Sequence, residues 1–231
     1  MQSIKSTLQS TAGLFGLELR APVRRLKVPH RGPRMTEEGI GEEYFKPYPL
    51  SRYYFLWTVI ADRIRRAGLR RVLEIGCGNG RLGAFLLDQG IEQYAGLDFS
   101  PVFIKMARSL VPGARLVVED AQTSSIYTEF EHDVIVCTEA LEHITEDLLV
   151  VSRFPPGKRC LCTVPNFPAP NHVRHFQDTG EVAARYARFF SDFDVVAFKG
   201  PTGTGTGIYF LFEGIRNDVR IRVDQIDIKR E

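Results

Sequence analysis

From residue 70 onward, short apolar runs alternate with amphipathic stretches, and few architectures tolerate that alternation. The runs "RVLEI", "YAGLD", "ARLVV", "DVIVC" and "RCLCTV" are separated by "RLGAFLLDQ", "PVFIKMARSL" and "EALEHITEDLLVVS". Near-continuous apolar strands are buried on both faces, and helices between them supply the crossovers of a parallel sheet. The expected fold is therefore α/β, with helices on both faces of a mostly parallel sheet. "EVAARYARFF" reads as a further helix. "FDVVAFKG" and "GIYFLFEGI" have only "PTGTGT" between them. That is too short for a crossover, so the two should pair antiparallel at the sheet edge.

Upstream, "YFKPYPLSRYYFLWTVIADRIRRAG" carries an amphipathic helix from Ser51, with Ser51 as its N-cap and Gly68 as its stop. Tyr44, Phe45, Tyr48, Tyr53 and Tyr54 cluster around its start, as packing residues or as the lining of a lid. Residues 1–43 read as a basic arm with a short helix near 4–15, residues 44–216 as the folded domain, and residues 217–231 as an extended tail. The chain of 231 residues, 44% of them hydrophobic, can bury one sizeable core.

A net charge of +2 does not argue for nucleic acid. The first 34 residues, however, hold Lys5, Arg20, Arg24, Arg25, Lys27, Arg31 and Arg34 against Glu18 alone. That excess suits a solvated arm or one that meets an anionic partner. Cys77, Cys137, Cys160 and Cys162 all fall in or beside apolar segments. Their spacing matches neither a disulfide framework nor a zinc set, which implies a reducing, cytoplasmic setting. No apolar run reaches the length of a membrane span, and "LFGLEL", interrupted by Glu18, is a poor signal peptide.

"VLEIGCGNGRLGAFLL" joins the first strand to the first crossover helix through Gly76, Gly78 and Gly80. Glycines here permit a tight turn and a close backbone approach, and the following helix N-terminus favours an anionic ligand. Gly78-Asn79-Gly80-Arg81-Leu82-Gly83 fits the dinucleotide pattern G-x-G-x-x-G, which would suit a nicotinamide oxidoreductase. Glu74 to Gly80 fits E-x-G-x-G-x-G instead, with its first glycine directly after the strand. Asp98, at the end of "YAGLD" and about 20 residues on, can accept hydrogen bonds from ribose hydroxyls in either case.

The motif from Glu74 to Gly80, Asp98 and the "VVEDAQ" ending of the third strand resemble class I S-adenosylmethionine (SAM) methyltransferases over residues 70–213. The resemblance implies a Rossmann-like sheet of seven strands with the last antiparallel. It implies a SAM site made by Glu74, Gly76, Cys77, Gly78, Gly80, Asp98 and Thr138, with Asp120 and Ala121 at the adenine amino group and Phe99 packed on the ring.

At the end of the fourth strand, "TEALEH" resembles the E-x-x-E-H of ubiquinone-biosynthesis O-methyltransferases and of small-RNA 2′-O-methyltransferases. As the start of a helix it would place Glu139, Glu142 and His143 on one face. The resemblance implies a divalent metal such as Mg²⁺, Mn²⁺ or Zn²⁺ on Glu139, Glu142 and His143, with His172 or His175 as a fourth ligand. His143 as a metal-free general base and a purely structural cluster are the competing readings. The expected acceptor is a hydroxyl on a small molecule. RNA stays open as a second acceptor, and a catalytically silent SAM-binding subunit as a third reading.

Overall fold

The computed structural model describes residues 41–220. All but residues 41–43 of the proposed arm, the short helix near 4–15 and most of the tail lie outside them. Two 3-10 turns, Glu42–Phe45 and Tyr48–Leu50, lead into α1, Tyr54–Arg66. This helix begins three residues after the expected start. Ser51 does cap a turn there: its Oγ accepts from Tyr53 N at 3.3 Å. Leu56, Trp57, Ile60, Ala61 and Ile64 give α1 one buried face. Gly68, at φ +68°, ends the helix in the left-handed conformation that glycine adopts without strain.

The alternating region folds as its pattern requires. In chain order come β1 Arg71–Ile75, α2 Arg81–Asp88, β2 Gln93–Asp98, α3 Pro101–Leu110 and β3 Arg115–Val118. A four-residue helix α4, Ile126–Glu129, precedes β4 Val134–Thr138. Then follow α5 Asp147–Arg153, β5 Arg159–Pro165, α6 Thr179–Tyr186, β6 Phe190–Pro201 and β7 Thr206–Arg216. Ser100 Oγ caps α3 through Phe103 N at 3.3 Å, with Pro101 as its first residue. The expected last helix is shorter than its sequence run, because Ala187–Phe189 tightens to 3-10 and Phe190 already belongs to β6.

The seven strands lie in the order β3-β2-β1-β4-β5-β7-β6. The first five are parallel to one another, and β7 runs antiparallel to both β5 and β6. β1 pairs with β2 on one side and β4 on the other, so the winding reverses between β1 and β4. Open α/β sheets bind ligands at the carboxyl ends of strands beside such a reversal. Two apolar clusters cover the faces, one including Leu73, Ile135, Cys162 and Phe212, the other Val72, Trp57, Phe85 and Leu161. Among the described residues no helix is long and apolar enough to cross a membrane.

Glu74 is the one carboxyl inside the β1 layer. It is 2% exposed and accepts from Tyr94 Oη at 2.5 Å. Burial pushes its pKa from 4.5 up to about 8. The folded protein thus holds this proton more tightly than the unfolded chain does. Stability from Glu74 is complete below pH 4.5 and declines as pH rises toward 8. Glu74→Gln is expected to flatten that decline, so thermal melts of mutant and wild type should diverge in the mutant's favour between pH 5 and 8.

Candidate active site

The turn after β1 is built by backbone. Gly76 N and Cys77 N both donate to Leu97 O, at 2.9 and 3.0 Å, and Gly80 N donates to Cys77 O at 3.0 Å. Gly76 (φ +72°) and Gly80 (φ +82°) cannot be replaced cheaply. A Cβ on Gly76 would sit 2.6 Å from Ala140 Cβ, and one on Gly80 would sit 2.9 Å from Ala107 Cβ. A Cβ on Gly78 would meet no atom within 4 Å, so the middle of the turn has room for a ligand.

Asp98 closes the turn from β2. Its Oδ2 accepts from Gly78 N at 2.9 Å and its Oδ1 from Ser100 N at 2.8 Å. Each carboxylate oxygen has a further lone pair for a ligand hydroxyl. Burial raises the Asp98 pKa, and the Ser100 and Gly78 amides pull it back. Phe99 beside it is 50% exposed, unusual for a ring this large. Asp120 Oδ1 accepts from Gln122 N at 2.8 Å, and Ala121 O accepts from Tyr127 Oη at 2.8 Å. These atoms all lie along one edge of the sheet.

Two side chains expected to touch the cofactor point elsewhere. The Glu74 carboxyl is taken by Tyr94 within the sheet layer, where it supports the turn from below. The Cys77 thiol is packed where a Gly96 Cβ would stand, and burial pushes its pKa up. Only the Cys77 backbone is left for a ligand.

A strap crosses this edge. Asn79 Nδ2 donates to Tyr44 O at 2.6 Å, Arg81 Nη1 donates to Glu43 O at 2.7 Å, and Tyr44 packs on Phe103 with ring centroids 5.0 Å apart. Tyr44 and Tyr48, placed by the sequence around a packing surface or lid, thus lie on the pair of 3-10 turns before α1.

"TEALEH" does not start an α-helix. Glu139 follows β4 at φ +50°, a strained conformation for a residue with a Cβ. Thr163 on the neighbouring strand holds it there. Glu139 N donates to Thr163 Oγ1 at 3.0 Å, and that hydroxyl donates to Glu139 Oε1 at 2.9 Å. The backbone then makes one 3-10 turn, Leu141–His143, and α5 begins only at Asp147. A shared helical face for Glu139, Glu142 and His143 is thus corrected.

The structure assembles a different trio: Glu142, His143 and His172, with ligand-type atoms all within 4.8 Å of one another. Glu142 Oε1 lies 3.8 Å from His143 Nε2 and 4.0 Å from His172 Nε2. Both imidazoles use Nδ1 on a backbone carbonyl, His143 on Asn171 O at 2.9 Å and His172 on Phe167 O at 3.1 Å. A carbonyl can only accept, so Nδ1 carries the proton and each Nε2 presents a lone pair toward Glu142. Glu142 is fully buried, and neither of its oxygens finds a well-directed donor among the described residues.

Buried, partnerless carboxylate oxygens facing two imidazole lone pairs suit a divalent cation. The set thus fits a metal, with His172 in place of His175. His175 instead lines a separate open groove of about 530 Å³ with Arg174, Phe176, Arg185 and Arg188. Glu139, whose Oε1 is taken by Thr163, is a neighbour of the trio rather than a member.

Electrostatics keep the trio ready to take a cation or a proton. Burial lowers the pKa of both His143 and His172, so they are neutral at neutral pH. Burial and then the Glu139 charge push Glu142 well above the ordinary carboxylate range, and burial pushes Glu139 up to about 8. The scaffold is Arg174, which sequence reasoning overlooked. Its Nη1 donates to Leu141 O at 2.6 Å and Ile144 O at 2.5 Å, and its Nη2 donates to Thr145 O at 2.8 Å. One guanidinium thus ties the loop after β5 to the turn that carries Glu142 and His143. Val173 N, donating to Glu142 O at 2.8 Å, completes the tie.

Residues 72–153 match the family model described as a methyltransferase domain. Over 119 residues the chain is 29% identical to a ubiquinone biosynthesis O-methyltransferase of Xanthomonas euvesicatoria pv. vesicatoria (strain 85-10), covering 48% of this chain and 49% of that protein. Over 156 residues it is 30% identical to a small RNA 2′-O-methyltransferase of Arabidopsis thaliana, covering 59% of this chain but 16% of the relative. The chain thus spans about half the length, or less, of the curated relatives it matches.

Among solved structures, magnesium protoporphyrin IX methyltransferase of Synechocystis PCC 6803 with bound S-adenosylhomocysteine (SAH) superposes with a TM-score of 0.56 at 15% identity. That alignment covers 72% of this chain and 84% of the other, and it shows a shared fold. With the seven-stranded sheet, these matches show a chain similar in fold, and over residues 72–153 in sequence, to methyltransferase domains.

Proposed function

We propose that the protein transfers the methyl group of SAM to a hydroxyl of a small-molecule acceptor. The observation that carries this reading is the Glu142–His143–His172 trio, open on the same sheet edge as the glycine turn and one strand from it. In this reading the backbone of Gly76, Cys77, Gly78 and Gly80 lines the methionine and ribose side of the donor. Asp98 accepts from the ribose hydroxyls, Asp120 and Ala121 meet the adenine edge, and Phe99 packs on its ring. Thr138, half-buried at the end of β4, flanks the sulfonium side.

SAM supplies an electrophilic methyl, and the acceptor oxygen must arrive in line and electron-rich. A phenol, with a pKa near 10, is mostly protonated at neutral pH. The His143 side chain is neutral and 40% exposed, with its Nε2 lone pair free of the backbone, so it can take that proton. Glu142, His143 and His172 would also hold a divalent cation, which when bound lowers the pKa of a coordinated hydroxyl.

The test is SAH release from SAM across hydroxylated aromatics and sugars, with EDTA followed by Mn²⁺ or Zn²⁺ addition. Activity lost to EDTA and restored by metal is expected. Because burial holds a proton on Glu142 that must leave before a cation binds, Mn²⁺ affinity measured by calorimetry should rise with pH. Turnover indifferent to EDTA would remove the metal and leave His143 as the base.

A further inference from the structure

The acceptor side of the site has a wall of rings. Tyr53 meets Tyr209 with ring centroids 5.9 Å apart, Tyr209 meets Phe167 at 5.3 Å, and Phe167 meets His172 at 6.0 Å. His172 in turn meets His143 at 4.8 Å. One end of this wall is therefore the proton-handling trio. At the other end stands Arg52, whose guanidinium lies over the Tyr53 ring, 4.9 Å from its centroid.

Arg52 is poorly partnered for a half-buried cation. Among the described residues its side chain makes one hydrogen bond, from Nη2 to the neutral Tyr53 Oη at 3.0 Å. Its Nε is buried without an acceptor. Its backbone N–H, not its guanidinium, holds Glu43 Oε1, at 3.3 Å. Its Nη1 comes within 3.2 Å of where a Gly203 Cβ would stand, at the tip of the β6–β7 hairpin. Partly desolvated guanidinium groups elsewhere in this molecule have several acceptors: Arg185 has Asp147, Arg63 and Arg159 share Glu213, and Arg174 and Arg216 bond backbone carbonyls. Arg52 keeps donors without an acceptor, with the charges of Glu43 and Glu139 acting on it only beyond hydrogen-bond range.

We propose that Arg52 is the anion-recognising residue of the acceptor site, and that the acceptor is a planar, hydroxylated compound bearing a carboxylate. This rests on the methyl-transfer reading above. The ring wall favours a flat body, the trio receives the hydroxyl, and the planar fork of Arg52 can take a carboxylate through two parallel bonds. A single unpaired guanidinium at the end of the wall fits one anionic group better than a phosphate chain, which needs several cations.

The test uses paired probes: 3,4-dihydroxybenzoate and 4-hydroxyphenylacetate, each against its methyl ester. Calorimetry is run with SAH present, on wild type, Arg52→Gln and Arg52→Lys. At least one acid should bind wild type about tenfold or more tightly than its ester, the scale of one charge-assisted pair. That preference should vanish in Arg52→Gln and return in part in Arg52→Lys, with SAH affinity unchanged in both. No preference in wild type, a preference that survives in Arg52→Gln, or no binding of either acid would overturn the proposal. Tighter binding of a short oligoribonucleotide, weakened by Arg52→Gln and by salt, would also overturn it in favour of phosphate. SAH titrated alone separates the two levels: if SAH binds and the acids do not, only the Arg52 proposal fails.

Discussion

Replacing His143 with alanine is expected to lower the rate of methyl transfer by roughly 10²–10⁴, the usual contribution of a placed proton acceptor, while SAH still binds. The separation follows from position. His143 lies beyond the end of β4 and touches Asn171 and Glu142, whereas the glycine turn and Asp98 belong to β1 and β2. Glu142→Gln should reproduce most of the loss, because it removes the ionisable carboxyl of the trio while keeping its volume. Initial rates alongside SAH calorimetry check both. If SAH affinity falls in step with rate, the trio is holding the fold together rather than handling the acceptor.

Asp98→Ala should act on the opposite partner, weakening SAH binding by about 100-fold or more. Two hydrogen bonds from ribose hydroxyls to a carboxylate disappear, and bonds to a charged group contribute about 1.5–3 kcal/mol each. Gly78 N and Ser100 N also lose their acceptor, so part of the effect comes from a loosened turn. Asp98→Asn, which keeps one acceptor oxygen, should lose less. Equal losses in the two variants would assign the effect to charge alone, and no loss in either would remove Asp98 from the cofactor site.

The sheet was legible in the sequence because its cause is local. Apolar runs such as "DVIVC" and "RCLCTV" cannot be exposed, and "PTGTGT" cannot hold a crossover helix. The glycine turn was legible for the same reason, since Gly76 and Gly80 mark positive φ and close packing. The chemistry at the end of β4 was only half legible. Residue types announced a cluster, but the helical spacing did not survive, because Thr163 from another strand holds Glu139 in a left-handed conformation. Nor could spacing choose between His172 and His175. That choice depends on Arg174 and Val173 bonding to the turn at 141–145, contacts about 30 residues apart in sequence. Arg52 was hidden for a related reason: what marks it is a buried Nε without an acceptor and a guanidinium whose one side-chain hydrogen bond goes to Tyr53 among the described residues.

One competition titration tests directly whether the glycine turn and Asp98 serve a methyl donor rather than a dinucleotide. SAH is titrated into the wild-type protein by calorimetry, alone and again with NAD⁺ in large excess. One site with micromolar-range affinity, unaffected by NAD⁺, is predicted. Absence of SAH binding, or its displacement by NAD⁺, would contradict a methyl-donor site at the glycine turn.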